Sequence, residues 1–212
     1  MEFHPGKCSV LPVDKKKSPA SRTYALHGYT LQEVSSTKYL GVTLQCDARC
    51  NHHIDGIVTK ANRTLAFLRK NLKICSPNTK YLAYNSLARP LLEYASTVWN
   101  PATEKDISRI EVTQRRAARF VSHRYQNTSC VDEMLQTLSW PTLEQRRKSP
   151  RLSVMYKVTN KLAKVHSPEL QLQPQSRARC GHEQCYRQYS CRTKHRRTSF
   201  FPRTARDRNS LP

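Results

Sequence analysis

The chain lacks long apolar runs. Nowhere in its 212 residues is there a run of about 18 apolar residues, the length that a membrane-spanning helix needs. The N-terminal sequence MEFHPGKC has no apolar core of the signal-peptide type. Both absences predict an intracellular protein, in the nucleus or the cytoplasm, without a membrane partner.

Acidic residues are also scarce. The chain has 15 Asp and Glu against 37 Lys and Arg, a formal net charge of +22, which is too lopsided for an ordinary soluble enzyme. A charge of this size predicts a polyanionic partner, with nucleic acid first and an acidic membrane surface second. The membrane is disfavoured because the cations are spread over several amphipathic segments and no terminal apolar anchor accompanies them.

No disulfide framework is predicted for the eight cysteines, because they are scattered along the chain and a reducing compartment would keep them as thiols. Two Cys/His groups raise the alternative of zinc. The first has non-standard spacing and the second is weaker, so no metal site is predicted. The first group is Cys180, His182, Cys185, Cys191 and His195. The second is Cys46, Cys50, His52 and His53.

Residues 1–50 predict a small β segment. Short β-prone runs are found at residues 8–13, 23–26, 29–32 and 39–44, separated by turn-forming residues. They predict three or four antiparallel strands. Such a segment is too small to hold a core alone, so we expect it to be the end of a larger sheet.

Residues 51–166 predict a bundle of helices. The first helix has an apolar stripe at three- and four-residue spacing and basic residues on its other faces. Ser76 and Pro77 predict the start of a second helix, which runs to Trp99 and bends at Pro90. The first stripe comprises Ile54, Ile57, Ala61, Leu65, Leu68 and Leu72.

The second predicted helix has apolar residues on one side, which predicts that this side is buried. One row of charged residues crosses it, which we call the charged seam. Arg89, Pro90 and Glu93 interrupt its apolar residues. Thr103 predicts the cap of a third helix, whose stripe runs from Ile107 to Val121. The arginines on its remaining surface outnumber the acidic residues available to neutralise them. These arginines are Arg109, Arg115, Arg116, Arg119 and Arg124.

A short fourth helix ends before Pro141, and Thr142 with Gln145 predicts a capping box for a fifth. Pro150 predicts either a break in that helix or a new start at Arg151. Its predicted buried side comprises Leu152, Met155, Val158, Leu162 and Val165. Residues 167–212 are polar and basic, which predicts a disordered tail with one apolar anchor at 199–203.

Several segments of the chain, in the same order, resemble the C-terminal part of a non-LTR retrotransposon (LINE, jockey-like) reverse transcriptase. They are FHPGKC at 3–8, KYLGVTL at 38–44, HIDGIVTKANRTLAFLRKNL at 53–72, LARPLLEYASTVWNP at 87–101, IEVTQRRAARF at 110–120, LSWPTLEQRR at 138–147 and SFFPRTARDRNSLP at 199–212. Two departures from the family pattern are Arg208, where the family usually has tryptophan, and the proline at 150.

The resemblance implies a different role for the β segment and for the helices. Residues 1–50 would be the last part of the polymerase palm, with Tyr39, Leu40 and Gly41 like a primer grip. The helices would form the thumb and its extension, with Arg115, Arg116 and Arg119 as candidates for phosphate contact. The implied partners are nucleic acid, as RNA, an RNA–DNA hybrid or DNA, and the missing palm and fingers.

The paired aspartates of such polymerases are absent, since no Asp-Asp pair occurs in the sequence. The resemblance therefore implies a fragment that begins downstream of the catalytic turn, is inactive alone and holds no cofactor, since Mg²⁺ would belong to the missing palm. Two alternatives stay open: a domesticated basic nucleic-acid-binding protein and a non-functional retroelement remnant.

Some candidate residues have plainer interpretations. Lys7 could act as a general acid, but without the aspartates a solvated lysine at a strand edge is favoured. Tyr39–Gly41 could simply be part of a strand that packs into the apolar interior, where the glycine permits close backbone approach. Arg115, Arg116 and Arg119 could form a solvated helix face that keeps the protein soluble. Trp99 and Trp140 each follow an apolar stripe, so packing is favoured over base stacking.

Overall fold

A computed structural model describes residues 3–13, 22–126, 129–165, 185–188 and 190–211. Helices predominate, and short strands occur only before residue 46 in these ranges. The predicted class, mainly α with a small β part, is confirmed. The chain divides into two compact units, Met1–Ile57 and Val58–Pro212.

The described residues of the first unit form three two-stranded sheets. β5 (Ser36–Tyr39) and β6 (Val42–Gln45) form an antiparallel hairpin, as do β2 (Ala25–Leu26) and β3 (Tyr29–Thr30). The remaining pair, β1 (Ser9–Val10) with β4 (Gln32–Glu33), is parallel, in contrast to the antiparallel pairing predicted for all strands. The predicted strand over 39–44 is also wrong, because the chain reverses at residues 40–41.

The first turn of α1 (Asn51–Asn71) packs within this unit. The Thr43 amide donates to Nδ1 of His53 at 3.2 Å, which ties β6 to the helix. Val42 and Ile54 are buried. Among the described residues of this unit, the buried apolar side chains therefore come from one hairpin and one helical turn.

The second unit is helical. α1 continues into it, and the chain then forms α2 (Pro77–Ala83), a π-helical turn (Tyr84–Ala88), α3 (Arg89–Glu93), α4 (Ser96–Trp99), α5 (Glu104–Ser122), α6 (Val131–Thr137), α7 (Leu143–Thr159), α8 (Lys194–Thr198) and α9 (Phe200–Asn209). None of the helices in the ranges that the structure covers is long and apolar enough to cross a membrane.

The second predicted helix begins as expected but is not continuous. The Ser76 side chain accepts from the Thr79 amide at 3.2 Å, confirming the cap. A π turn lies directly before Pro90, where the missing N–H and the ring disturb the α-helical pattern. The helix then ends at Glu93, because Ala95 is left-handed with φ 51°, and only a four-residue turn reaches Trp99.

The core of the second unit gathers buried side chains from α1, the π turn, α5, α6 and the segment after α6, and residues of α2 pack against it. Its members are Leu65, Leu68, Tyr84, Ala88, Ala117, Ala118, Phe120, Val121, Val131, Met134 and Trp140. Trp140 stacks against Tyr84 with ring centroids 4.7 Å apart, and Trp99 is fully buried. The prediction that both tryptophans serve packing is confirmed.

The helix caps predicted from the sequence are confirmed for α5 and α7. The helix break or new start predicted at Pro150 is wrong. The Thr103 hydroxyl accepts from the Asp106 amide, and Thr142 forms both bonds of the capping box with Gln145. α7 nevertheless runs through Pro150 without a break, because buried residues on both sides hold it in place. It ends at Thr159, which leaves Leu162 and Val165 beyond the helix and exposed.

The C-terminal residues that the structure covers include two helices. α9 packs against α7, and Met155, Tyr186 and Ala205 form a small apolar cluster. A disordered tail was predicted here, so residues 194–209 depart from that prediction; local composition could not reveal this tertiary contact. The predicted linker begins at residue 167, and its residues 167–184 lie outside the described residues.

Candidate nucleic-acid interface

Arg115 and Arg116 are neighbours in sequence but contact different elements. Arg115 Nη2 lies 3.2 Å from Oδ1 of Asp132 on α6, whereas Arg116 Nη1 donates to Oδ1 of Asn62 on α1 at 3.2 Å. Both side chains are exposed. Only Arg116 therefore belongs to the surface that α5 shares with α1.

That surface continues to the end of α5. Arg119 lies one turn after Arg116, and the Arg69 guanidinium of α1 sits over the Tyr125 ring, 5.1 Å from its centroid. Arg69 and Arg124 are exposed and Arg119 is half-buried. We call Arg69, Arg116, Arg119 and Arg124 the basic strip.

The sequence predicted two members of the basic strip as site residues, Arg116 and Arg119, but did not predict the contact of Arg69 with Tyr125. These two residues are 56 positions apart, beyond the reach of helical periodicity. One local signal existed: an aromatic residue follows Arg124 directly, where α5 ends at the left-handed His123.

Tyr39, Leu40 and Gly41 lie in the first unit, at the tip of the β5–β6 hairpin. Leu40 and Gly41 both have positive φ, 45° and 84°, which gives the tight two-residue turn that suits the twist of a hairpin. Leu40 in this conformation costs about 1–2 kcal/mol. Tyr39 and Leu40 are 65% and 73% exposed, so the tip presents apolar side chains to solvent.

A second group of arginines lies inside the helical unit: Arg146, Arg147 and Arg151 on α7, and Arg203 on α9. We call them the inner arginines. Arg146 binds Glu93 through two nitrogens, and its Nη2 donates to Oε2 at 3.1 Å. This bond to Glu93 raises the pKa of Arg146. Glu93 thus gives the predicted charged seam a physical role, as the acceptor for α7.

Arg151 and Arg203 join α7 and α9 to the start of α5. Arg151 forms an ion pair with Asp207, and Arg203 Nη1 donates to the Pro101 carbonyl at 2.7 Å. With its amide oriented to suit both arginines, Asn100 accepts from Arg203 at 2.7 Å and from Arg151. The Arg151 side chain is only 5% exposed. Burial lowers the pKa of Arg151, and neighbouring Arg203 lowers it further.

Arg147 is the most buried of the four, at 1% exposed. Within the described part of the chain, neither of its Nη atoms has a hydrogen-bond partner. Burial lowers its pKa, while Glu111 and Glu144 act in the opposite direction. Glu111 is engaged with the backbone, since its carboxylate accepts from the amides of Leu143 and Glu144 at 3.3 and 2.9 Å and so caps α7.

The other candidates do not assemble into a site. Lys7 ends a short 3-10 turn and is exposed. In the ranges covered, no three His, Cys, Asp or Glu side chains are placed to hold a metal ion. Cys180 and His182 lie outside those ranges. Burial raises the pKa of Cys50, and Asp47 adds to the effect, which disfavours its thiolate.

Comparison with known proteins finds a transposon polymerase. Over 135 residues the chain is 27% identical to a probable RNA-directed DNA polymerase from transposon BS of Drosophila melanogaster. The match covers 57% of this chain but only 15% of that polymerase, so it spans a small part of its relative. No protein-family profile and no solved structure matches the chain. The similarity supports a relationship to retroelement reverse transcriptases.

Proposed function

We propose that the helical unit binds the phosphate backbone of nucleic acid, as the thumb-like part of a non-LTR, jockey-like reverse transcriptase. The observation that carries this is the basic strip, where arginines of two packed helices lie along one surface. Phosphate contacts by such residues position a protein on a duplex without reading its sequence. The similarity to a transposon polymerase supports the same partner.

In this proposal each predicted site residue keeps a role. Arg115, Arg116 and Arg119 contact phosphates, although Arg115 must exchange Asp132 for its phosphate. Tyr39, Leu40 and Gly41 contact the primer strand, since an exposed hairpin tip with one strained residue is the kind of rigid element that can support a strand. The proposal assigns nucleotide transfer and its Mg²⁺ to a palm with paired aspartates, and no Asp-Asp pair occurs in this sequence.

A salt-titrated binding assay on an RNA–DNA hybrid tests the proposal. Arg116→Gln should weaken binding about equally for all sequences and lower the slope of log affinity against log salt by about one unit. Arg206→Gln, the same charge change at an exposed position on α9, is the matched control and should change both values less.

Two results would contradict this assignment. Affinity that stays constant between low and high salt would exclude backbone binding, because counterion release makes such binding salt-dependent. Equal effects of Arg116→Gln and Arg206→Gln would leave net charge as the cause and remove the basic strip from the interface.

A further inference from the structure

A polar pocket lies where α5 ends and α6 begins, beside the basic strip. Its cavity is about 400 Å³, within the range of small-ligand sites. The lining includes His123, Arg124, Tyr125, Gln126, Ser129 and Glu133. We call it the α5–α6 pocket.

Tyr125 gives this pocket an aromatic wall. Its ring is 45% exposed, although the Arg69 guanidinium lies over it at 5.1 Å. His123 meets the ring edge to face, with centroids 5.8 Å apart. A tyrosine oriented by a cation and a second ring loses little freedom on binding, which suits a stacking platform for a planar base.

The polar residues of the pocket match the edge of a base. Glu133 supplies two carboxylate oxygens, which accept but do not donate, whereas Gln126 and Ser129 can do both. A carboxylate pairs well with adjacent N–H groups, such as those on the Watson–Crick edge of guanine, and poorly with the acceptor-rich edge of uracil. Arg124 lines the same pocket and also belongs to the basic strip, so it can hold the phosphate next to an inserted base.

We propose that the α5–α6 pocket receives one unstacked nucleobase of a single-stranded segment, with guanine preferred, while the adjoining phosphates lie on the basic strip. The inference rests on the proposed function, since it names the form of nucleic acid that this surface holds. A fully paired hybrid offers phosphates to the strip but no free base to the pocket.

The test compares three ligands by fluorescence anisotropy with the full chain. They are an oligouridine strand, the same strand with one central guanosine, and a blunt RNA–DNA hybrid. We expect the guanosine strand to bind about fivefold or more tightly than the uridine strand. Glu133→Gln, which keeps the size and removes the charge, should reduce that preference.

Tyr125 variants test the stacking wall. Tyr125→Leu should weaken the guanosine strand about fivefold or more and should weaken the hybrid much less, because only the single strand inserts a base and the hybrid loses only the support that the ring gives to Arg69. Tyr125→Phe keeps the ring and should retain the affinity. Thermal unfolding of each variant establishes that the helical unit remains folded.

The outcomes separate the two proposals. If Tyr125→Leu affects single strand and hybrid equally, or neither, or if guanosine gives no preference, the pocket assignment is overturned while salt-dependent hybrid binding keeps the proposed function. If neither single strand nor hybrid binds at any salt concentration, the proposed function fails and the pocket assignment fails with it.

Discussion

The basic strip and the inner arginines are made of the same residue type but behave in opposite ways. Arg116 and Arg69 on the strip contact an amide and a ring and stay exposed. Arg146 and Arg151 inside the unit bind Glu93 and Asp207 and connect helices. The first group leaves cationic side chains on the surface, as the proposed binding of an anionic partner requires, and the second group joins segments of the protein.

The difference shows that net charge alone cannot locate an interface. A planar guanidinium with five donors suits a carboxylate or a backbone carbonyl as well as a phosphate. Arginines that have found internal acceptors are not available to nucleic acid. Substitutions should therefore separate the groups: those of inner residues change stability, and those of the basic strip change binding.

The largest effect is expected from breaking the pair of Arg151 and Asp207. Asp207→Ala leaves a nearly buried guanidinium without its carboxylate and should lower the free energy of unfolding by about 3 kcal/mol. Urea denaturation of the full chain measures the loss. The double variant Arg151→Met with Asp207→Leu should recover much of it, and a loss below about 1 kcal/mol would contradict the assigned role.

Breaking the bond of Arg146 to Glu93 should have the next largest effect. Glu93→Gln removes the charge that holds Arg146 through two nitrogens, and we expect a loss of about 2 kcal/mol in the same measurement. Arg146→Lys keeps the charge but not the forked geometry, so it should lose part of this amount. If Arg146→Lys lost no stability, the two-nitrogen contact with Glu93 would not contribute to the free energy of unfolding.

Arg147 should respond with the opposite sign. Its buried Nη atoms have no hydrogen-bond partner among the described residues. Burying this charged group without such partners destabilises the folded state, so Arg147→Met should stabilise the protein by about 1 kcal/mol. That corresponds to a rise in Tm of roughly 2–4 °C for a domain of this size. Arg151→Met serves as the matched control and should lower Tm. Destabilisation by Arg147→Met would indicate that Glu111 and Glu144 compensate the charge.

The smallest effect is expected on the outer surface. Arg115 and Asp132 are both exposed, and a double-mutant cycle with alanine at each position should give a coupling of about 0.2–1 kcal/mol. The coupling should shrink further in high salt. A value near that of Arg151 with Asp207 would show that an exposed arginine pair stabilises the fold as much as an inner one.

Local chemistry made much of the fold predictable. The caps at Ser76, Thr103 and Thr142 depend on residues within three positions, and all three are confirmed. The prediction at Pro150 was wrong because a proline inside a helix costs about 3 kcal/mol locally, whereas packing against distant parts of the chain outweighs this cost. The local sequence does not reveal that packing. The same limit applies to α9, whose partners on α7 are about fifty residues away.

The candidate site was less predictable for the same reason. Periodicity placed Arg115, Arg116 and Arg119 on one helix but could not show that the first contacts α6 and the second contacts α1. In the sequence, Arg146, Arg147 and Arg151 look like part of one basic segment. In the fold, Arg146 pairs with Glu93, Arg151 pairs with Asp207, and Arg147 is buried. Only the pairing of distant segments distinguishes the two groups.

The bond between Arg203 and the Pro101 carbonyl joins residues 102 positions apart. During synthesis, at roughly 5–20 residues per second, the start of α5 would wait on the order of 5–20 s before α9 was made. Asn100 would meet Arg203, and Arg151 would meet Asp207, only after α9 had been made. The nascent helical unit lacks this contact until α9 has been made, and a chain cut short before residue 203 would lack it permanently.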